Sequence, residues 1–300
     1  MPSGYHEVSP GIKLNYTIHE PTTPKPNPKP WIVLISGLGD TQATWFNQVP
    51  AFTDAGYTVL TFDNRGVGLS SRAQTPGEDW TIATLAGDLR SLVKAVPVPA
   101  PYHVMGVSMG GMITQRYALD VVAEGNEAEL ASIIPACTFA APGLYGSRLL
   151  AVVGRIACSM SVAEANRAVT LWCWTPEFLM KPENQVILDE MDRDLDKMDD
   201  DVEGMGLSSF LAQMNAVMTF DTREELLRSQ LGSKTKVIVI AGEQDILVPI
   251  SLSHNLHNII KGSRWRPVKG GHVCKLEFPN EFNNVCLDAW KEVEEESLNQ

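Results

Sequence analysis

At 300 residues, with 44% hydrophobic and 20% charged side chains, the chain has the composition of a soluble globular protein. It is long enough to bury one large α/β core or two ordinary domains. A formal net charge of −12 argues against nucleic acid as a partner, because neutralising phosphates takes clustered Lys and Arg.

No window reaches the ~18 apolar residues of a membrane span. Residues 1–7 show neither the basic nor the apolar region of a secretory signal. Five cysteines (137, 158, 173, 274, 286), an odd number with no C-x-x-C pair, read as reduced structural thiols, so a cytoplasmic protein is expected. Tyr5 to Val8 and Ile12 to His19 alternate around Pro10-Gly11 and predict a β-hairpin. Glu20 to Pro30 carries five prolines and is expected to be an extended loop. Trp31 to Ile35 is a continuous apolar run, the mark of a strand covered on both faces, and Trp45 to Ala55 follows as a helix stopped by Gly56. Tyr57 to Phe62 is the next strand, Ile82 to Val96 an amphipathic helix, and Tyr102 to Val107 a strand leading into a helix at Met109 to Val122. Leu130 to Ile134 is another short strand. Such alternation implies βα units and a mostly parallel sheet.

The alternation stops near Thr138. Up to Gly232 the pattern is helical, with 15 Asp and Glu against 8 Lys and Arg between Cys137 and Gly232. Most of that excess lies in Asp189 to Glu203, which reads as a solvated helix face rather than a metal site. Strands resume at Lys236 to Ala241 and near Ser263 to Val268, with helices at Ile250 to Ile260 and Pro279 to Glu295. The expected fold is therefore α/β: a central sheet flanked by helices, with an all-helical segment inserted before the last two strands. Residues 1–137 and 233–300 would form the core, and 138–232 a cap.

The chemistry is expected at Gly106-Val107-Ser108-Met109-Gly110-Gly111, where a serine sits two residues from a glycine on each side at a strand-to-helix turn. Such a turn is sharp, and glycines remove the Cβ atoms that would collide there. A serine nucleophile needs a base, an acid to orient it, and donors for an oxyanion. Open α/β sheets place these groups at the carboxyl ends of strands. Asp245 follows the strand ending at Ala241, and His272 follows the one near Val268, which puts nucleophile, acid and histidine in the order of the nucleophile-elbow hydrolases. Glu243 is the nearest competing acid. His6, His19 and His103 read as surface or edge residues, and His254 and His257 as solvent-facing on a helix. The oxyanion donors would be the backbone N–H of Met109, at a helix N-terminus, and of Leu38, in the loop after the first long strand. Asp63 and Arg65 lie beside Gly66-Val67-Gly68, but no Lys follows as a P-loop demands, so a structural loop is expected.

Together these motifs resemble the single-domain α/β-hydrolase superfamily, in the branch of enol-lactonases, aminoacrylate hydrolases and haloperoxidase-like esterases. The likeness runs from Trp31 to Trp290, and covers the cap mainly in its last part. It rests on Ser36-Gly37-Leu38-Gly39, Asp63 to Ser70, Gly106 to Gly111, Phe220-Asp221-Thr222-Arg223, Gly242 to Pro249, and Gly271-His272 followed by Glu277 and Pro279. The family usually has His-Gly where this chain has Ser36-Gly37, so different hydrogen bonds are expected to support that loop.

The resemblance implies acyl transfer to Ser108, with His272 as base and then acid, Asp245 orienting it, and no metal or organic cofactor. A serine at the elbow sets the chain apart from the epoxide-hydrolase and haloalkane-dehalogenase variants, which use aspartate. An ester or lactone of a small hydrophobic molecule is the expected substrate. The alternatives are a thioester, the carbon–carbon bond of a β-diketone, or a non-hydrolytic lyase, cyclase or ligand receptor on the same scaffold. Trp172, Trp174, Phe178, Phe210, Met214 and Met218 could line an apolar pocket in the cap or simply pack it onto the sheet. Nucleic acid and membrane are not expected partners, and a homodimer is left open.

Overall fold

In the computed structural model, residues 3–23, 28–73, 78–199 and 205–298 are described. Residues 24–27 of the proline-rich loop and 200–203 of the acidic run lie outside the described residues. The strands are β1 (Ser3–Ser9), β2 (Ile12–His19), β3 (Ile32–Ile35), β4 (Val59–Phe62), β5 (Tyr102–Val107), β6 (Leu130–Ala136), β7 (Lys236–Gly242) and β8 (Arg264–Val268). They join one sheet in the order β1-β2-β4-β3-β5-β6-β7-β8. The hairpin β1–β2 is antiparallel and meets β4 antiparallel, and every pairing from β4 through β8 is parallel.

The helices flank this sheet: α1 (Gln48–Asp54), α2 (Ile82–Ala95), α3 (Met109–Ala123), α4 (Gly143–Ser159), α5 (Val162–Cys173), α6 (Pro176–Leu179), α7 (Gln185–Leu195), α8 (Gly206–Met218), α9 (Arg223–Ser229), α10 (Leu231–Lys234), α11 (Ile250–Ile259), α12 (Cys274–Glu277) and α13 (Pro279–Leu298). Even the unbroken apolar run of β3 obeys the two-residue period of a strand. Val33 and Ile35 face the layer of α2 and α3, where Leu85, Leu89, Ile113 and Tyr117 bury them. Ile32 and Leu34 face α1 and α13, against Phe52, Phe282 and Trp290. Thr81 caps α2, accepting from Thr84 N–H at 3.1 Å while Thr84 Oγ1 accepts from Thr81 N–H.

Two expectations need correction. The helix predicted from Trp45 is a 3₁₀ turn at Gln42–Trp45 followed by α1 from Gln48. Pro50 explains the delay, since its missing N–H costs nothing only within a helix's first turn. His103 is not an edge residue: it is fully buried in central β5. Its Nδ1 pairs with Ser132 Oγ at 2.8 Å, and its ring packs on Trp290 with centroids 5.6 Å apart. Burial pulls its pKa down, with Glu294 acting the other way.

Between β6 and β7 the described residues are helices and turns. Within this insertion Val153, Ala157, Val162, Phe210 and Met214 form a cluster of their own, which also takes in Val67 and packs on Leu38 from the core loops.

Candidate active site

Ser108 ends β5 and opens α3 with φ 58° and ψ −119°, a conformation that strands and helices do not use. Holding it costs on the order of 1–3 kcal/mol, which the surrounding contacts must supply. Ser108 N–H donates to Ala136 C=O at 2.9 Å, and Ser108 C=O accepts from Gly111 N–H at 2.9 Å. The neighbouring glycines are required sterically. A Cβ on Gly106 would lie 2.1 Å from Gly110 O, and one on Gly110 would lie 2.2 Å from Ile35 O. The elbow therefore holds α3 against β5 and β3 at backbone contact, and leaves the Ser108 side chain half-buried.

Parallel register brings the other groups to the same sheet edge. Asp245 follows β7, and its Oδ2 pairs with His272 Nδ1 at 2.8 Å, while its Oδ1 accepts from Val248 N–H at 2.8 Å. Both residues are buried, whereas Glu243 is exposed. Burial alone would lower the pKa of His272. The charge and hydrogen bond of Asp245 outweigh it, with smaller help from Cys137 and Asp40, and push the imidazole up to about 9. With Nδ1 engaged by Asp245, Nε2 is the nitrogen left to exchange a proton with a nucleophile. Among the described residues no hydrogen bond joins Ser108 Oγ to His272; such contacts often tighten only around substrate.

The loop after β3 faces the elbow: a Cβ on Gly37 would lie 3.5 Å from Ser108 Cβ. Asp40 N–H donates to Gly37 C=O at 3.3 Å, and Gly39 N–H donates to Gln213 Oε1 at 3.0 Å. Among the described residues, neither Leu38 N–H nor Met109 N–H has a hydrogen-bond acceptor. Met109 N–H is a first-turn helix donor, which has no intrahelical acceptor, and Leu38 is partly exposed in its loop. Ser36, in the place of the family's usual histidine, supports the loop differently. Its hydroxyl donates to Thr41 C=O at 3.1 Å and accepts from the Trp45 indole at 3.0 Å.

The loop after β4 braces this one. Asp63 accepts from Gln42 N–H and Leu69 N–H, Asn64 donates to Ser36 C=O at 3.1 Å, and Arg65 forms a buried two-pronged pair with Asp88 at 2.5 Å. The loop is thus occupied internally, as expected of a structural element.

A family model for the alpha/beta hydrolase fold matches residues 30–151. A protein of Variovorax paradoxus named "Putative carbamate hydrolase RutD" is 26% identical over 285 residues, covering 92% of this chain and 96% of its own. Among solved structures, a hydrolase from Pseudomonas aeruginosa PA01 superposes with a TM-score of 0.77 at 24% identity, over 96% of this chain and 97% of that one. The enol-lactonase from Burkholderia xenovorans LB400 gives 0.77 at 23% identity, over 96% and 100%. The chain has the alpha/beta hydrolase fold.

Within this fold the aromatic and methionine residues of the insertion occupy several settings. Phe210 and Met214 lie in the insertion's own cluster, with Trp172 packed against it. Trp174 is buried and stacks on Phe178 with centroids 4.4 Å apart. Met214 and Met218 also line an outward-facing groove of about 360 Å³ between α4 and α8. His254 is exposed, as expected; His257 instead pairs with Ser263 Oγ at 2.7 Å and packs on Trp265.

Asp40, Lys275 and Gln213 join the site without a sequence signal, and Glu277 was marked only by its place in a motif. Asp40 is half-buried beside Gly37; burial pushes its pKa up, and Lys275, His272 and the Gly37 N–H oppose that. Lys275 is itself buried, donating to Thr44 C=O at 2.8 Å and lying over Trp45, and burial lowers its pKa. Glu277 accepts from the N–H groups of Gly271 and Thr175, which ties the histidine loop to the insertion. Its spacing after Gly271-His272 was visible, but not its partners. Gln213 carried no sequence signal at all. Among the described residues no three His, Cys, Asp or Glu side chains are grouped to hold a metal ion, and no helix is long and apolar enough to cross a membrane.

Proposed function

We propose that this α/β-hydrolase cleaves an ester or lactone of a small hydrophobic substrate through an acyl-enzyme on Ser108. One observation supports the reading: the strained Ser108 stands beside the loop after β3, and Leu38 N–H in that loop and Met109 N–H next to the serine have no acceptor among the described residues. A donor pair of this kind suits the oxyanion of an acyl-transfer intermediate, and each donor is worth about 3 kcal/mol of barrier.

In the proposed mechanism, Ser108 Oγ attacks the carbonyl carbon while His272 Nε2 takes its proton. The carbonyl oxygen becomes an oxyanion held by Leu38 and Met109 N–H. Asp245 keeps the proton on Nδ1 and stabilises the imidazolium. Collapse expels the leaving oxygen, which receives the proton from Nε2, and leaves an ester on Ser108. Water, deprotonated by His272, then attacks that ester, and a second collapse returns the proton to Ser108 and releases the acid. Residues 138–232 act as a cap that shapes the acyl site, and its apolar composition supports a hydrophobic substrate.

The test is labelling with a fluorophosphonate probe together with turnover of short p-nitrophenyl esters, lactones and N-alkyl carbamates. The carbamates enter the panel because of the RutD relative's name. A mass adduct on Ser108, and turnover lost with Ser108→Ala, are expected. Normal ester turnover by Ser108→Ala would sink the proposal.

A further inference from the structure

Gln213 sits in the middle of α8, 174 residues from the loop after β3, and is fully buried. Both ends of its amide are used by backbone. Oε1 accepts from Gly39 N–H at 3.0 Å, and Nε2 donates to Arg65 C=O at 2.8 Å. One partner is a donor and the other an acceptor, so the amide has one compatible orientation. The approach is prepared in the backbone. Gly66 has φ +98°, and a Cβ there would lie 3.3 Å from Gln213 Nε2 and 3.2 Å from Ser209 Cβ. Ser209, one turn earlier on α8, is buried too, and its Oγ accepts from Ala73 N–H at 3.0 Å.

The consequence falls on Leu38. Its N–H shares a peptide plane with Gly37 C=O, which Asp40 N–H holds from one side. The next plane carries Leu38 C=O and Gly39 N–H, and Gln213 holds that one. The two planes meet at the Leu38 Cα, so the two hydrogen bonds together set Leu38's φ and ψ and the direction of its free N–H. We propose that Gln213 is a positioning residue for the oxyanion loop, so that α8 is a fixed part of the catalytic apparatus and not a lid that lifts from it. This rests on the Leu38 role given under the proposed function.

The experiment compares Gln213→Met with Ser209→Ala in the full chain, reading kcat, KM, the rate of fluorophosphonate labelling at Ser108, and thermal melting. The first variant keeps side-chain volume and removes both amide bonds; the second removes a neighbouring anchor of the same helix without touching Gly39. Gln213→Met is expected to lower kcat and the labelling rate together, on the order of tenfold to a hundredfold, as a displacement approaching 1 Å would. KM should stay within about threefold, since ground-state binding does not use the hole. Ser209→Ala should lower the melting temperature and leave kcat unchanged. A folded Gln213→Met with wild-type kcat, or Ser209→Ala losing as much kcat, overturns the proposal. If Gln213→Met does not fold, hydrogen exchange on the wild type answers instead: Gly39 N–H should be protected as well as α8, and fast exchange there under a protected α8 overturns it. Loss of the underlying reading is separately visible, because Ser108→Ala would then remain active.

Discussion

Asp245→Asn removes one charge from a side chain with no exposed surface and keeps its shape. In the wild type His272 is pushed up to about 9 from an ordinary 6.5, against the pull of burial. Asp245, through its charge and hydrogen bond, is the main cause of that rise, so losing the charge should slow acylation by on the order of a hundredfold. An amide at this position can also turn its NH₂ toward Nδ1 and select the wrong tautomer, a defect that costs up to ~10⁴ in serine proteases. The expected fall in kcat/KM therefore lies between about 10² and 10⁴. The pH profile moves in a definite direction. His272 must be neutral to act as base, so wild-type kcat/KM should keep rising as pH climbs toward about 9. Without Asp245 burial dominates, and the same limb should fall below 6.5. The assay is kcat/KM by pH-stat on a simple aliphatic ester from about pH 5 to 10, with circular dichroism at each pH to verify folding. A variant within threefold of wild type, or a limb that does not move, would refute the assignment of this pair.

Three further outcomes follow from the packing. Gly110→Ala places a Cβ 2.2 Å from Ile35 O and 2.8 Å from Ser36 O, both backbone atoms, so it should destabilise by about 3 kcal/mol or more in urea melts; an unchanged midpoint would contradict the elbow's close packing. Ser36→Ala strands the buried Trp45 indole N–H and frees the loop at Thr41, with an expected loss of about 1–3 kcal/mol and a lower kcat. Full stability and kcat in that variant would show that the hydroxyl is dispensable. Asp88→Asn leaves Arg65 charged and buried without its partner, which should cost about 3–5 kcal/mol by equilibrium denaturation. A change below about 1 kcal/mol would mean that water reaches the guanidinium.

Much of the fold was legible because its signals are local. The apolar runs at Ile32–Ile35, Val59–Phe62 and Lys236–Gly242 each mark a strand through their own composition. The glycines around Ser108 mark the turn because the collisions they avoid lie within a few residues or on the adjoining strand. His103 was misjudged for the complementary reason. Nothing in Tyr102 to Val107 says that Ser132 will supply a hydrogen bond to the ring and Trp290 a packing surface for it.

The sequence by itself determined the order of strands and helices, the residue type at the elbow, and the chain order of Ser108, Asp245 and His272. Those follow from periodicity, turn chemistry and spacing along the chain. Only the tertiary structure decided which backbone N–H groups stay free, that Asp245 rather than Glu243 meets the histidine, and that Gln213 and Glu277 fasten the helical insertion to the oxyanion and histidine loops. A hydrogen bond between residues 174 positions apart depends on how α8 docks, and that docking is set by the summed packing of Leu38, Val67, Phe210 and Met214 rather than by any one stretch of sequence.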